Sequence, residues 1–329
     1  MKAIVYKNAE FILEEVVAPI PLENQIQVKI IASGFNPVDY QMTEDGSEKK
    51  YLHSPILGRE FSGVITAIGK KVTSFKIGDA VFSGSGSMGS NGTYAEFICV
   101  PEEIAVHLPK NISFEEAAGI PSSGLTALQC LNRMQASKTD SILITGAAGG
   151  VGNLLVKLLI ANGYHNFIVT AGNDQSIASL LEMGVNRNQI INYKIDPIEE
   201  TALGLNTAKK FDFVIDLVGN TIADIVVKLL KTNGTYLDVT AFSTKYSREI
   251  LFGKGATIMN ISNYTYGLEK RYDYYKNGLE QLKGLLDKQL IKPPVINIIG
   301  PLEVATIKKA HQMLRENKAE GKKLIMKIN

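Results

Sequence analysis

The chain has 329 residues, which at the usual ~100–200 residues per domain suggests about two domains. Apolar residues make up 45% of the chain and charged residues 21%, a composition typical of globular proteins that excludes disordered, collagen-like and coiled-coil chains. The 35 basic and 33 acidic side chains give a formal net charge of +2, and this near-neutral balance argues against nucleic acid as a partner.

Cysteine content and hydropathy bear on redox chemistry and location. Cys99 and Cys130 are too few for a disulfide framework or a four-ligand zinc site, so we interpret each as a small buried apolar residue. The N-terminus lacks the long apolar segment of a signal peptide, and no stretch reaches the ~18 apolar residues of a membrane-spanning helix. We therefore expect a cytoplasmic protein with no membrane partner.

The first 110 residues are predicted to form short strands joined by turns. Strand patterns occur at 27–33, 80–82 and 93–100, and a strand-pair element is predicted at 61–69. The segment 83–92 is rich in glycine and serine, which is typical of flexible chain. Because a strand pattern resumes directly after it, we interpret this segment as a mobile loop inside one domain rather than an interdomain linker.

From about residue 115 onwards, strands and amphipathic helices alternate. Strands are predicted at 141–145, 166–170, 189–192, 211–217 and 235–239, with helices at 151–162, 176–183 and 223–231. Repeated β-α-β units with apolar strands predict a doubly wound parallel sheet. After residue 265, helices are predicted at 274–286 and 303–316, and strands at 296–299 and 323–327.

A glycine-rich loop between the first strand and helix of the alternating region is the main chemical signal. The segment Ala147-Ala-Gly149-Gly-Val-Gly152 fits the dinucleotide fingerprint G-x-G-x-x-G with alanine at the first glycine. Small residues let the backbone approach a diphosphate, Gly152 lets the helix lie close to the strand, and the helix N-terminus offers free N–H groups. The alternative is a tight turn that binds nothing, but the βαβ context favours dinucleotide binding.

The end of the second strand bears on which dinucleotide is bound. NAD-specific sites usually have an acidic residue about 20 positions after the loop, where it accepts from the ribose hydroxyls. Here that position is Ala171, which does not repel a 2′-phosphate, so NADPH is favoured. Asp174 lies three positions later and keeps NADH as the alternative.

Several motifs together resemble one enzyme group. They are Ala32-Ser-Gly-Phe-Asn-Pro-Val-Asp39, Leu57-Gly-Arg-Glu-Phe-Ser-Gly-Val64, Gly69 to Val81 with its spaced glycines and Asp79, Gly92-Thr-Tyr-Ala-Glu96, Glu115 to Ala127, the glycine loop, and Asp216-Leu-Val-Gly219. The chain resembles, over almost its whole length, the zinc-independent medium-chain dehydrogenases/reductases, the branch of quinone oxidoreductases and zeta-crystallin-like proteins.

This resemblance implies a fold and a domain arrangement. Residues 1–117, completed by 263–329, are expected to form a GroES-like β-rich catalytic domain, and residues 118–262 a Rossmann dinucleotide-binding domain. The active site is expected in the cleft between the domains, where ligands commonly bind. The resemblance also suggests a homodimer.

At the positions where zinc-containing members of the superfamily have metal ligands, this chain has other residue types. The first ligand cysteine corresponds to Asn36, the ligand histidine to Arg59 and a later cysteine to a position near Ser123. Amide and guanidinium groups do not replace thiolate and imidazole as zinc ligands, and the four histidines show no ligand spacing, so no metal is expected. Arg59 fits no familiar pattern, and an ion pair with Glu60 is the one role considered for it.

The resemblance places candidate catalytic residues near the acceptor. Asn36 donates its amide N–H to the acceptor oxygen, or alternatively serves only as an Asn-Pro turn residue. Asp39 either belongs to the catalytic set or caps the helix that follows. Tyr40 and Tyr51 are candidate proton donors, with core packing as the alternative for both.

The resemblance also implies a set of cofactor-binding residues. Tyr193 is expected near the adenosine phosphate, and Ser176 stands where a phosphate-binding lysine is common, which weakens the case for NADPH. Lys318 and Lys322 resemble a C-terminal basic pair that partly compensates, or they form a solvated turn. The full predicted set is Thr126, Gly149, Gly150, Val151, Gly152, Ala171, Ser176, Tyr193, Gly219, Ala241, Phe242, Lys318 and Lys322.

The function implied is a zinc-free NADPH-dependent reductase of quinones or other activated acceptors. Without a Lewis acid, a conjugated carbonyl that accepts hydride with hydrogen-bond help suits the site better than an unactivated alcohol. One alternative is a 2-alkenal or enone reductase, which differs only in its acceptor pocket. A second is a nucleotide-binding relative without significant turnover.

Overall fold

The computed structural model describes residues 1–44, 49–50 and 52–328. Contacts divide the chain into two compact units. Unit 1 combines Met1–Leu125 with Asn263–Asn329, and unit 2 is the continuous segment Thr126–Ser262. None of the described helices is long and apolar enough to cross a membrane.

Unit 2 is built on a six-stranded sheet in which all neighbouring strands are parallel. Strands β8, β9 and β10 are buried along their whole length, as expected for a sheet covered by helices on each side, whereas the edge strand β13 is partly exposed. The strand order is β10-β9-β8-β11-β12-β13, which confirms the predicted doubly wound sheet. The strands are β8 (Ile142–Ile144), β9 (Phe167–Ala171), β10 (Ile190–Asn192), β11 (Phe211–Asp216), β12 (Leu230–Asp238) and β13 (Thr257–Asn260).

The helices of unit 2 connect these strands. They are the later part of α3 (Pro121–Met134), then α4 (Gly150–Ala161), α5 (Asp174–Glu182), α6 (Ile198–Leu205), α7 (Thr221–Leu229) and α8 (Lys245–Gly253). The sequence did not predict α3, α6, α8 or β13. The helix predicted to reach residue 231 ends at Leu229, because Leu230 already pairs with Phe211 in the sheet.

Unit 1 is β-rich and draws its main sheet from both of its chain segments. The sheet has seven strands in the order β14-β15-β3-β4-β5-β7, with β6 also paired to β3. A separate hairpin is formed by β1 and β2. The strands are β1 (Lys2–Lys7), β2 (Glu10–Glu15), β3 (Gln25–Gly34), β4 (Phe61–Ile68), β5 (Ala80–Ser83), β6 (Phe97–Pro101), β7 (Ala105–His107), β14 (Ile296–Gly300) and β15 (Lys323–Lys327).

The helices of unit 1 lie before and after unit 2 in the chain. They are α1 (Pro37–Gln41), α2 (Phe114–Ala118), the start of α3, α9 (Tyr264–Leu268), α10 (Tyr272–Asp287) and α11 (Val304–Arg315). Aromatic side chains, including Phe35 and Tyr94, are fully buried in the core of this unit.

Two expectations for the β-rich region were wrong in detail. The strand-pair element at 61–69 is a single strand, β4, paired on one side with β3 and on the other with β5. The loop 83–92 is anchored rather than loose, because Ser85 and Asn91 are buried and the Asn91 amide donates to the carbonyls of Gly92 and Phe97. The glycine and serine content of this loop reflects close packing.

Candidate functional site

The glycine loop of unit 2 connects β8 to α4 in a tight turn. Gly146 has a φ of +63°, a left-handed conformation that favours glycine. A Cβ at position 152 would lie 2.4 Å from the Gly146 carbonyl oxygen and 2.6 Å from the Cα of Ala147. Such distances are sterically forbidden, so only glycine lets α4 begin this close to the loop.

The first turn of α4 presents backbone N–H groups without a side-chain cap. Gly149 is the N-cap residue, and glycine has no side chain to accept from the N–H groups of Gly150, Val151 and Gly152. A helix N-terminus of this kind binds anions through its N–H groups and the helix dipole. The loop and the helix start therefore fit the diphosphate of a dinucleotide.

The end of β9 lies beside the glycine loop. The hydroxyl of Thr170 accepts from the Gly146 N–H at 3.2 Å, which joins the two segments. Ala171 is buried, and the next residue, Gly172, lies against the Tyr193 ring so closely that a Cβ there would be 2.2 Å from the Tyr193 hydroxyl. The predicted residues Ala171 and Tyr193 are thus brought together around one glycine.

The start of α5 follows directly. The side chain of Asn173 accepts from the backbone N–H of Ser176 at 2.8 Å and caps the helix. Ser176 itself is buried, whereas Asp174 is exposed in the first turn. Ser176 has a clear structural role in helix capping through its backbone, and its cofactor role stays a prediction.

Asp216, at the end of β11, organises the loops around the glycine turn. Its Oδ1 accepts from the Thr145 hydroxyl at 2.6 Å and from the backbone N–H groups of Val218 and Gly219 at 3.0 Å each, and its Oδ2 accepts from the Tyr236 hydroxyl at 2.7 Å. The carboxylate is fully buried. The sequence motif Asp216-Leu-Val-Gly219 marked this loop, but it did not reveal that Asp216 links it to Thr145.

The remaining predicted residues of unit 2 lie on two loops and a helix. Gly219 has a φ of +77° and lies against Phe242, so a Cβ there would be 2.5 Å from the Phe242 Cβ. The Ala241 N–H donates to Asp238 at 2.8 Å, and the Phe242 side chain is 38% exposed. Thr126 is half-buried in α3. Gly219, Ala241 and Phe242 therefore form one neighbourhood.

Lys318 and Lys322 lie in unit 1, in the turn between α11 and β15. The ammonium of Lys318 pairs with the carboxylate of Glu316 at 2.6 Å, and the Lys318 side chain is largely exposed. The backbone N–H of Lys322 donates to the Ala319 carbonyl. These contacts are those of a solvated turn, and the cofactor role of the two lysines stays a prediction.

In unit 1, Asn36 precedes α1 and belongs to a buried polar cluster. Its amide Nδ2 donates to Glu60 Oε1 at 2.8 Å, and its Oδ1 accepts from Lys323 Nζ at 2.7 Å. Lys323 Nζ also lies 2.6 Å from Glu60 Oε1 and 3.5 Å from the Ser123 hydroxyl. Sequence reasoning missed Lys323, because a lysine at the start of a strand is normally exposed.

Asp39 lies in the same region and is fully buried. Its Oδ2 accepts from the Asn36 backbone N–H at 2.8 Å, so Asp39 stabilises the start of α1. Burial is the main cause that raises the pKa of Asp39 to about 6, against the lowering effects of the Asn36 hydrogen bond and of Arg59. Burial and the nearby Asp39 raise the pKa of Tyr94 well above its ordinary value.

His311 completes this aromatic and polar core. Its Nε2 lies 3.1 Å from the Tyr94 hydroxyl, and its ring meets Phe35 edge to face. Burial lowers the pKa of His311 to about 3, with Arg315 as a smaller cause. His311 is therefore neutral at physiological pH and packs in the core of unit 1.

Two domain models match the chain. The model described as alcohol dehydrogenase GroES-like domain matches residues 22–110, and the model described as zinc-binding dehydrogenase matches residues 187–325. A chloroplast envelope quinone oxidoreductase homolog of Arabidopsis thaliana is 31% identical over 69% of this chain and 69% of its own. The chain belongs to the medium-chain dehydrogenase/reductase superfamily. The expected family and the expected GroES-like and Rossmann folds are confirmed.

Two further members of the superfamily show the range of similar proteins. An NADPH-dependent alkenal/one oxidoreductase of Arabidopsis thaliana is 27% identical and covers 95% of this chain and 75% of its own length. The crystal structure of Escherichia coli quinone oxidoreductase complexed with NADPH has a TM-score of 0.82, 25% identity, and coverage of 99% of this chain and 98% of that chain. The chain is therefore an oxidoreductase of this superfamily, similar to quinone oxidoreductases.

The residues at the superfamily's zinc-ligand positions do not fit a zinc ion. Asn36 and Ser123 both approach the ammonium of Lys323, so this position already holds a positive charge. Thiolate, imidazole and carboxylate are the groups that bind zinc, whereas an amide and a hydroxyl beside an ammonium are not. Within residues 1–44, 49–50 and 52–328, no group of three or more histidine, cysteine, aspartate or glutamate side chains is arranged to hold a metal ion.

Arg59, at the third of these positions, has no part in the cluster's ion pair. Glu60 pairs with Lys323 and not with Arg59, so the pairing considered from the sequence is not the one seen. The Arg59 guanidinium lies 5.8 Å from the centre of the Tyr264 ring and 3.7 Å from the sulfur of Met42. This arrangement places Arg59 in a cation–π contact.

Tyr40 and Tyr51 are the two candidate proton donors predicted from the sequence. Tyr40 is half-buried, with the Arg315 guanidinium 5.0 Å from its ring centre, a contact that supports the packing alternative. Tyr51 lies outside the described residues.

Proposed function

We propose that this protein is a zinc-free, NADPH-dependent reductase of quinones or other activated carbonyl and alkene acceptors. The observation that supports the proposal is the cluster of Asn36, Ser123 and Lys323, in which two residues at expected zinc-ligand positions contact an ammonium. Without a Lewis acid, oxidation of a simple alcohol would lack a group to stabilise its alkoxide. Conjugated acceptors need only hydrogen bonds to the oxygen on which charge develops.

The choice of NADPH rests on two observations. The residue at the end of β9 is Ala171, which carries no charge to repel a 2′-phosphate, and the solved quinone oxidoreductase of Escherichia coli was complexed with NADPH. Asp174 is exposed two residues beyond Gly172 and leaves NADH as the second possibility. Titration with each coenzyme, followed by nicotinamide fluorescence, tests this choice: tighter binding of NADH would refute it.

The chain's own residues supply binding and orientation. The N–H groups of Gly150, Val151 and Gly152 would hold the diphosphate, and Ala171 and Tyr193 would border the adenosine end. Bound NADPH supplies a hydride from its nicotinamide ring. The Asn36 amide would donate to the acceptor oxygen, where hydrogen bonds count most because negative charge accumulates there.

A second acceptor class is favoured by one relative. The similarity to an alkenal/one oxidoreductase supports 2-alkenals and enones as alternative acceptors, because they present the same conjugated oxygen to Asn36. The two classes differ in the size and shape of the molecule rather than in the chemistry of the oxygen.

One screen tests the proposal. NADPH consumption is followed at 340 nm with a quinone, an enone and an aliphatic aldehyde, and NADP⁺ reduction is followed with simple alcohols. We expect turnover with the quinone or the enone and none with the alcohols. Oxidation of an alcohol by protein that contains stoichiometric zinc would refute the proposal. Tight NADPH binding without turnover of any acceptor would instead support a nucleotide-binding relative that is not an active reductase.

A further inference from the structure

A buried ion pair in unit 1 holds the side chain that we assign to the acceptor oxygen. Lys323, Glu60, Asn36 and Ser123 are each at most 8% exposed. Burial of two charges is costly unless they are paired and hydrogen-bonded, so a pair of this kind in a protein core calls for a functional explanation. The inference that follows rests on the proposed role of Asn36.

The three side chains close a ring of charge-assisted hydrogen bonds. Lys323 Nζ donates to Asn36 Oδ1 at 2.7 Å, Asn36 Nδ2 donates to Glu60 Oε1 at 2.8 Å, and Lys323 Nζ lies 2.6 Å from the same Glu60 oxygen. A flipped amide would point its N–H groups at the ammonium and its oxygen at the carboxylate. The two charges therefore fix the orientation of the Asn36 amide.

This orientation has a consequence for hydrogen-bond donation. An amide nitrogen carries two N–H bonds, and Glu60 accepts one of them. The ammonium on the Asn36 oxygen draws electrons from the amide, which makes the second N–H a stronger donor because linked hydrogen bonds polarise one another. Preorganised donors of this kind stabilise charge that develops on an acceptor oxygen.

The fold holds the ammonium firmly. Lys323 is the first residue of β15, its backbone N–H donates to the Val295 carbonyl at 2.8 Å, and its strand lies between β14 and β3. On the other side, Glu60 Oε2 accepts from the backbone N–H of Ser122 at 2.8 Å. The Glu60 carboxylate is thus tied to backbone, and the ammonium is held by the side chains of Asn36, Glu60 and Ser123, so neither charge needs to reorganise when the amide binds a ligand.

We propose that Lys323 is a positioning residue for acceptor reduction: it orients and polarises the Asn36 amide, with Glu60 as its counter-ion. The N–H bonds of Lys323 are directed at Asn36, Glu60 and Ser123, so it acts through Asn36 rather than on the acceptor. In this chain, the lysine supplies a fixed positive charge next to the residue that contacts substrate.

The first test replaces Lys323 with Met, which keeps the length of the stem and removes the charge. With the acceptor found in the screen above, we expect kcat to fall at least about tenfold, while the Kd for NADPH stays within twofold of the wild-type value. Lys323→Arg retains a cation and is expected to recover part of kcat. Lys327→Met is the matched control, because Lys327 is on the same strand, is half exposed and pairs with Glu115; its kcat should be unchanged.

A second variant guards against loss of folding. Lys323→Met alone leaves the Glu60 charge buried without its partner, whereas Lys323→Met combined with Glu60→Gln removes both charges and restores a neutral core. We expect the double variant to fold and to bind NADPH, and its kcat to stay low because nothing orients the amide. Wild-type kcat in a folded Lys323→Met or double variant would overturn the inference. A wild-type protein that reduces no acceptor would instead refute the proposed function.

Discussion

The close contact between α4 and the glycine loop leads to a quantitative prediction for Gly152→Ala. The added Cβ would lie 2.4 Å from the Gly146 oxygen, whereas real Cβ atoms essentially never come closer than 3.0 Å to a heavy atom. The start of α4 must therefore move by at least about 0.6 Å. A shift of that size breaks or weakens a hydrogen bond from the helix N-terminus to a bound diphosphate, worth about 2 kcal/mol for a charged acceptor.

The expected result is a Kd for NADPH about 30-fold weaker than that of the wild type. Isothermal titration calorimetry measures it directly, and thermal unfolding reports whether the variant is folded. Gly204→Ala is the control, because a Cβ at this position in α6 meets no atom within 4 Å. Its affinity should be unchanged and its stability slightly increased, since alanine favours helix over glycine. Unchanged affinity in folded Gly152→Ala would show that this loop does not hold the diphosphate.

Four further outcomes are expected from buried groups. Asp39 keeps its proton to about pH 6 in the folded state, so the free energy of unfolding falls by roughly 3 kcal/mol as pH rises from about 4 to 6. Chemical denaturation across this range should show a smaller fall for Asp39→Asn than for the wild type. The same pH dependence in both proteins would contradict this prediction. His311 acts in the opposite sense, because its pKa near 3 makes the free energy of unfolding fall as pH drops from about 6.5 towards 3. In the same experiment, His311→Gln should show a smaller fall over this pH range. Asp216→Ala should lower the free energy of unfolding, measured by urea denaturation, by at least about 3 kcal/mol, because four hydrogen bonds lose their buried acceptor. A decrease below about 1 kcal/mol would argue against this hydrogen-bond network. Burial raises the pKa of Cys99 and Cys130 to about 12, so a disulfide reagent should modify these thiols only after unfolding. Rapid modification of the native protein would be inconsistent with the structure.

Five of the six Rossmann strands, all but β13, were predictable because their information is local. Each is a run of apolar residues between turn residues, and a buried parallel strand requires no more than that. The last strand, β15, has the predicted bounds for the same reason. The glycine loop was equally readable, since close backbone approach demands small residues in consecutive positions.

The parts that were missed depend on contacts between distant positions. Lys323 is buried only because Glu60 and Asn36, far away in the sequence, supply its counter-charge and acceptor. Helix α8 was missed because its core-facing stripe is short: Ser247 and Leu251 are its buried residues, while Phe252 is largely exposed. A pattern with so few buried apolar positions does not indicate a helix.

The pairing of β15 with β3 also constrains the order in which the protein is made. Ile325 lies opposite Gly34, and the N–H of Ile328 donates to the Ile31 carbonyl, so the sheet of unit 1 joins residues from opposite ends of the sequence. Closing so long a loop carries a large entropic cost, and domains emerging from the ribosome generally fold as units. Unit 2 is continuous and can be complete while β15 is still untranslated, so the end of β3 that pairs with β15, Ala32 to Gly34, must wait for this partner even though β3 can already pair with β4 and β6.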